Sequence, residues 1–94
     1  MEKVVDVPES SRFELHVGGR RVGVLDYYVE AGSVTLTHTE VDPACGGRGL
    51  GQALVQGALD AFRERGVTVR PVCSFVRHYI DDHPEYHSLV VKEG

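Results

Sequence analysis

The stretch GGRGLGQALVQGALDAFRERGVTVRPVC, residues 46–73, decides the fold. It opens on a glycine cluster, Gly46, Gly47, Gly49 and Gly51, and passes into a segment where Leu50, Leu54, Gly57, Ala58, Ala61 and Phe62 recur three and four residues apart. Gln52, Gln56, Asp60, Arg63 and Glu64 fill the gaps, so the segment is an amphipathic helix with one apolar stripe. Gly66 supplies the left-handed residue that ends such a helix. Residues 67–72 then form a short β-branched run, interrupted near its end by Pro71.

Upstream, Ser33–Val41 alternates, placing Val34, Leu36 and His38 on one face and Thr35, Thr37 and Thr39 on the other. Strand, helix and strand make a crossover unit, whose length requires residues 67–72 to lie parallel to residues 33–41 with a right-handed connection. Earlier still, Phe13, Leu15 and Val17 alternate with Arg12, Glu14 and His16, and Gly18-Gly19 turns the chain into a second apolar run, residues 22–29. This predicts a β-hairpin, continued as an antiparallel sheet through the turn at Ala31-Gly32. Downstream, Ser74 is placed to cap a last helix running to about Asp82, which Pro84 stops. The tail beyond it stays open, with a closing strand at Leu89-Val90-Val91 as one course. The fold class is α+β, with N-terminal antiparallel strands, a β-α-β crossover and a short C-terminal helix in one domain over residues 1–94.

Ninety-four residues, 41% hydrophobic and 26% charged, suit a small folded domain. A chain of this length buries only about 60–65% of its unfolded surface, so bound ligand matters to its stability. Fourteen acidic against ten basic residues, a net charge of -4, argue against broad nucleic-acid binding but leave room for a local phosphate site. No apolar run reaches the roughly 20 residues of a membrane span, and the start lacks signal-peptide character, so a cytoplasmic location is expected. Cys45 and Cys73 have no CxxC spacing and read as reduced thiols.

A glycine-rich turn between a strand and a helix lets backbone amides converge where the helix dipole also favours an anion. Residues 46–51 have that context, and Arg48 adds a charged fork. The spacing is neither a P-loop nor GxGxxG. The same cluster also reads as a loop in which Gly49 permits close helix packing. Cys73 follows the second parallel strand and precedes a helix, where α/β folds place ligands and where a helix N-terminus favours a thiolate; its plainer reading is a small buried hydrophobe. His38, beside Val34 and Leu36 in the alternation, reads as a core histidine or as a base near the glycine turn. His78, Asp81, Asp82, His83, Glu85 and His87 crowd the tail, with no zinc signature in their spacing.

The order hairpin, strand, glycine turn, helix, strand, cysteine, helix resembles the GNAT superfamily of acyl-CoA-dependent N-acetyltransferases, in particular its minimal single-domain subgroup. Three segments carry the likeness: Thr37-His38-Thr39-Glu40-Val41; Gly47-Arg48-Gly49-Leu50-Gly51; and Pro71-Val72-Cys73-Ser74-Phe75-Val76, running on to His83-Pro84-Glu85-Tyr86. The resemblance implies that backbone amides from Gly46 through Gly47, Arg48, Gly49 and Leu50 to Gly51, with the Arg48 side chain, hold the CoA pyrophosphate. Val41 and its strand would pair with the pantetheine arm, and the thioester would lie between splayed parallel strands. Where the wider superfamily has Gln or Arg, this chain has Gly46, which leaves that contact to the backbone. The likeness also makes His38 and Cys73 the reactive pair.

Acetyl transfer to an amine needs a neutral nitrogen, a stabilised oxyanion and a proton for the departing thiolate. A strand N–H near Val41 is the candidate oxyanion donor and His38 the candidate base. Cys73 either donates the proton or carries the acyl group, direct transfer being the usual course in the superfamily. The expected function is thus acetyl-CoA-dependent N-acetyl transfer to a small-molecule or protein amine, without a metal, by a monomer or weak dimer. The second reading is a non-catalytic acyl-CoA-binding or partner-binding module, and the third a zinc-binding protein using the tail histidines.

Overall fold

A computed structural model of the chain describes residues 1–45 and 49–92. Five strands form one sheet in sequence order: β1 (Glu2–Val7), β2 (Arg12–Val17), β3 (Arg20–Glu30), β4 (Ser33–Val41) and β5 (Thr68–Pro71). The first four pair antiparallel, and β5 lies parallel to β4. Helix α1 (Leu50–Arg65) crosses from β4 to β5, and α2 (Ser74–Asp82) follows β5. The chemistry of the turns accounts for this order. Gly18 and Gly19 both take positive φ, 58° and 81°, the geometry that matches the twist of a two-residue hairpin. Gly66 ends α1 with φ 72°, its N–H reaching the carbonyls of Arg63 and Phe62.

Helix α1 covers one face of the sheet. Leu54, Ala58, Leu59 and Phe62 meet Phe13, Leu15, Leu25 and Leu36, all of them fully or almost fully buried. Phe62 stands edge-on to Phe13 and Tyr27 at 5.2 and 5.6 Å, an arrangement aromatic rings prefer. The Tyr27 hydroxyl donates to Asp6 at 2.7 Å, and Arg65 bridges to the same carboxylate at 2.8 Å, which ties β1 to the end of α1.

Three local features differ from the sequence reading. Strand β1 enters the sheet at its edge, where its side chains are at most half-buried, so residues 2–7 carry little alternation. Ser74 is the first residue of α2 and Cys73 occupies the cap position, so Ser74 makes no cap. The tail forms a short 3-10 helix, Pro84–Leu89, and touches the sheet at one parallel bridge between Val90 and Val69, with Val91 N–H donating to the Val69 carbonyl at 2.9 Å. Among the described residues no helix is long and apolar enough to cross a membrane.

Candidate active site

The two parallel strands part company early. Pairing of β4 with β5 runs from Ser33 and Thr68 to Leu36 and Pro71, yet β4 continues five residues further, to Val41. Past Pro71 the chain bends away, with Val72 N–H donating to the Arg70 carbonyl at 3.0 Å and Cys73 N–H to the Leu36 carbonyl at 2.9 Å. Cys73 therefore sits in the fork, and no strand among the described residues pairs with β4 beyond it on that side.

A cleft of about 310 Å³ opens along the free edge of β4, walled by Thr39, Val41 and Cys45 on one side and by Gly49, Leu50, Gly51 and Gln52 at the start of α1 on the other, with Phe75 of α2 beside them. The cleft's shape depends on two glycines. Gly49 takes φ 70° just before the helix, and a Cβ on Gly51 would lie 2.9 Å from the Phe75 ring. The sequence-predicted residues Val41, Gly49, Leu50 and Gly51 thus share one cleft. Gly46, Gly47 and Arg48 lie outside the described residues.

The Cys73 side chain is 9% exposed, and its sulfur lies 3.4 Å from the Thr39 hydroxyl. Burial raises the thiol pKa, but the Thr39 hydroxyl, the amides of Val76 and Phe75 at the start of α2 and the backbone of Thr39 together outweigh it, so the pKa is lowered from its ordinary value. These are the influences expected when a cysteine caps a helix, where amides point at the sulfur and favour its anion.

His38 is placed differently from its sequence reading. The β3–β4 register slips between Asp26 and Tyr27, so that Tyr27 faces Leu36 while Asp26 faces His38, leaving Thr37 as an extra residue in β4. A bulge of one residue reverses the faces of everything after it. Leu36 is buried in the core, His38 is 60% exposed on the outer face with Glu40 at 3.9 Å, and Thr39 and Val41 turn inward. His38 is not a core histidine. The side chain brought to Cys73 is that of Thr39. Thr39, Cys45, Gln52 and Phe75 were not singled out as cleft residues in the sequence; for Thr39 the reason is the bulge that sets the inner face of β4, which leaves no sequence signal.

Two of the tail histidines, His83 and His87, are engaged with backbone. His83 Nδ1–H donates to the Tyr79 carbonyl at 2.7 Å while its ring stacks on Tyr79, and His87 Nε2–H donates to the Ile80 carbonyl at 3.0 Å. Among the described residues no three His, Cys, Asp or Glu side chains gather to hold a metal ion.

A family model described as GCN5-related N-acetyl-transferase matches residues 12–89. The chain belongs to that family. It is 34% identical over 64 residues to Protein NATD1 of Homo sapiens, covering 68% of this chain and 57% of that protein. A second similar relative, Protein NATD1 of Xenopus tropicalis, is 33% identical over 64 residues, and the chain spans 59% of its length. Among solved structures, a GCN5-like protein from Staphylococcus aureus superposes with a TM-score of 0.71 over 98% of this chain and 90% of that one, at 19% identity. A GNAT family acetyltransferase from Brucella melitensis, solved with acetyl-CoA, gives 0.58 over 77% of this chain and 54% of that one, also at 19% identity. The likeness to these two structures is one of fold, with its antiparallel strands followed by splayed parallel ones.

Proposed function

We propose that this chain is one N-acetyltransferase domain that moves an acetyl group from the thioester of acetyl-CoA to the nitrogen of a small-molecule or protein amine. The observation that carries the reading is the fork between β4 and β5, where a free strand edge borders a cleft reaching the first turn of α1 and the Cys73 sulfur lies against Thr39 of the cleft wall. The acetyl-CoA held by the Brucella melitensis relative of the same fold supports it.

The residues present fit the proposed cosubstrate. The pantetheine arm is largely hydrocarbon with two amides, and the cleft offers the side chains of Val41, Leu50 and Phe75 beside the unpaired backbone of β4. At the outer end, the amides of Leu50, Gly51 and Gln52 belong to the first turn of α1, which has no intrahelical partner and carries no acidic side chain. The amides from Gly46 to Gly51 and the Arg48 side chain are the proposed pyrophosphate contacts, of which Gly49, Leu50 and Gly51 are among the described residues lining the cleft. When bound, acetyl-CoA supplies an activated acyl carbon with a thiolate leaving group.

Cys73 is the proposed catalytic residue nearest that carbon. Burial raises its pKa but the hydrogen bonds around the sulfur outweigh that and lower it, which moves the thiol toward the thiolate, the form that attacks carbonyl carbon. In the covalent course, the sulfur bonds to the acetyl carbon and the bond to CoA breaks, releasing CoA thiolate. The acceptor nitrogen then displaces the Cys73 sulfur and loses a proton. His38, exposed on the outer face of β4 with Glu40 near it, is the proposed acceptor of that proton through solvent water rather than by direct contact with the nitrogen.

The test is release of free CoA thiol and formation of acetylated product from acetyl-CoA with a broad panel of amines. Turnover is expected with at least one amine and is lost in Cys73→Ala, with an acetyl group trapped on Cys73 when amine is withheld. Binding of acetyl-CoA without turnover on any amine would make the chain a non-catalytic acyl-CoA-binding module instead.

A further inference from the structure

We propose that Thr39 is the positioning residue for Cys73, its hydroxyl hydrogen-bonding the sulfur across the fork and holding it against the wall of the cleft that Thr39 itself lines. The kinetic part of this proposal rests on the acetyltransferase reading above; the part concerning the sulfur does not.

The bulge in β4 makes the contact possible. Without the extra residue at Thr37, strand alternation would put His38 on the inner face and Thr39 outside. With it, Thr39 is half-buried and both walls the cleft and stands 3.4 Å from Cys73 Sγ, within hydrogen-bond range for sulfur. Either atom can donate while Cys73 is a thiol. Once it is a thiolate, only the hydroxyl can donate, so the contact strengthens as the proton leaves.

Three charged or titratable neighbours on β4 and α2 have other partners or face solvent. His38 and Glu40 of β4 face outward, and the Arg77 guanidinium of α2 donates to the carbonyls of Val72 and Pro71 at 3.3 and 3.5 Å. The influences on the sulfur are its burial, the Thr39 hydroxyl, the amides of Val76 and Phe75 and the Thr39 backbone. Of these, the hydroxyl is the one supplied by a side chain, so it is the one that substitution can remove. A threonine also fits the place sterically, since its branched Cβ stiffens χ1 and fixes the direction of the oxygen.

The test uses the intact chain as wild type, Thr39→Val and Thr39→Ser, with alkylation of Cys73 by iodoacetamide followed across pH and resolved from Cys45 by peptide mass. In Thr39→Val the rate profile of Cys73 is expected to move to higher pH, slowing alkylation several-fold at neutral pH, and Thr39→Ser is expected to restore it. Acetyl transfer should fall by roughly tenfold or more in Thr39→Val and recover in Thr39→Ser. An unmoved profile in a folded Thr39→Val, checked by its thermal midpoint, would overturn the proposal. A moved profile in a chain whose wild type acetylates no amine would uphold the role of Thr39 on the sulfur and overturn the acetyltransferase reading alone.

Discussion

Gly51 and Phe75 are packed so closely that a Cβ on Gly51 would stand 2.9 Å from the Phe75 Cζ and 3.3 Å from its Cε2. Phe75 is 41% exposed and borders the cleft, so its ring can swing aside, and a displacement of it alters the cleft wall. Gly51→Ala is therefore expected to leave the thermal midpoint close to wild type, the gain in helix propensity of up to about 1 kcal/mol offsetting the displaced ring. Acetyl-CoA binding, measured by calorimetry, should weaken several-fold in the same variant. Gly51→Ala with Phe75→Ala should recover part of that loss if the ring is what obstructs the cleft.

Gly57 lies elsewhere on α1 and answers to a different constraint. A Cβ there would come within 2.8 to 2.9 Å of three carbons of Val4, one of them its Cβ, which cannot move without shifting β1 itself. Gly57→Ala is expected to destabilise the fold by about 1–3 kcal/mol through overpacking, despite the better helix former. For a chain of this size each kcal/mol lowers the thermal midpoint by roughly 4–8 °C. The variant that narrows the partner, Val4→Ala, should relieve part of the loss when combined with Gly57→Ala.

Glu14 gives the protein a pH dependence on the acid side. Its carboxylate accepts from His16 at 2.9 Å and Arg12 at 2.8 Å, with Arg21 at 3.7 Å, and these contacts hold its pKa below the ordinary 4.5 despite burial. A carboxyl depressed in the folded state stabilises fully above its unfolded value and loses that contribution as pH falls through the folded one. Glu14→Gln is thus expected to cost about 1–3 kcal/mol at neutral pH, measured by urea unfolding, and progressively less as the pH is taken below 4.5.

Much of the fold was legible because the informative residues are local. The spacing from Leu50 to Phe62 and the stop at Gly66 define α1 within one stretch, and Gly18-Gly19 defines the hairpin from two residues. Strand β1 was not legible, since Val4 earns its place through contact with Gly57, more than fifty residues away in the chain. The candidate site divided along the same line. Val41, Gly49, Leu50, Gly51 and Cys73 could be singled out by type and position, whereas Thr39 could not. The face on which it lies is set by one extra residue in β4, and a slip of one residue is silent in a run of alternating Thr and Val, Leu or His. Cys73 at the cap of α2 was similarly hidden behind Ser74, a commoner capping residue.

The central claim, that the fork between β4 and β5 holds acetyl-CoA, is tested most directly by thermal denaturation of the intact chain with acetyl-CoA against buffer alone. A ligand at about 100 times its dissociation constant stabilises by about 2.7 kcal/mol, which for this size raises the midpoint by roughly 10 °C or more. The expected result is a rise of that order at saturating acetyl-CoA, reduced in Gly51→Ala. An unchanged midpoint across the same concentrations would contradict the claim.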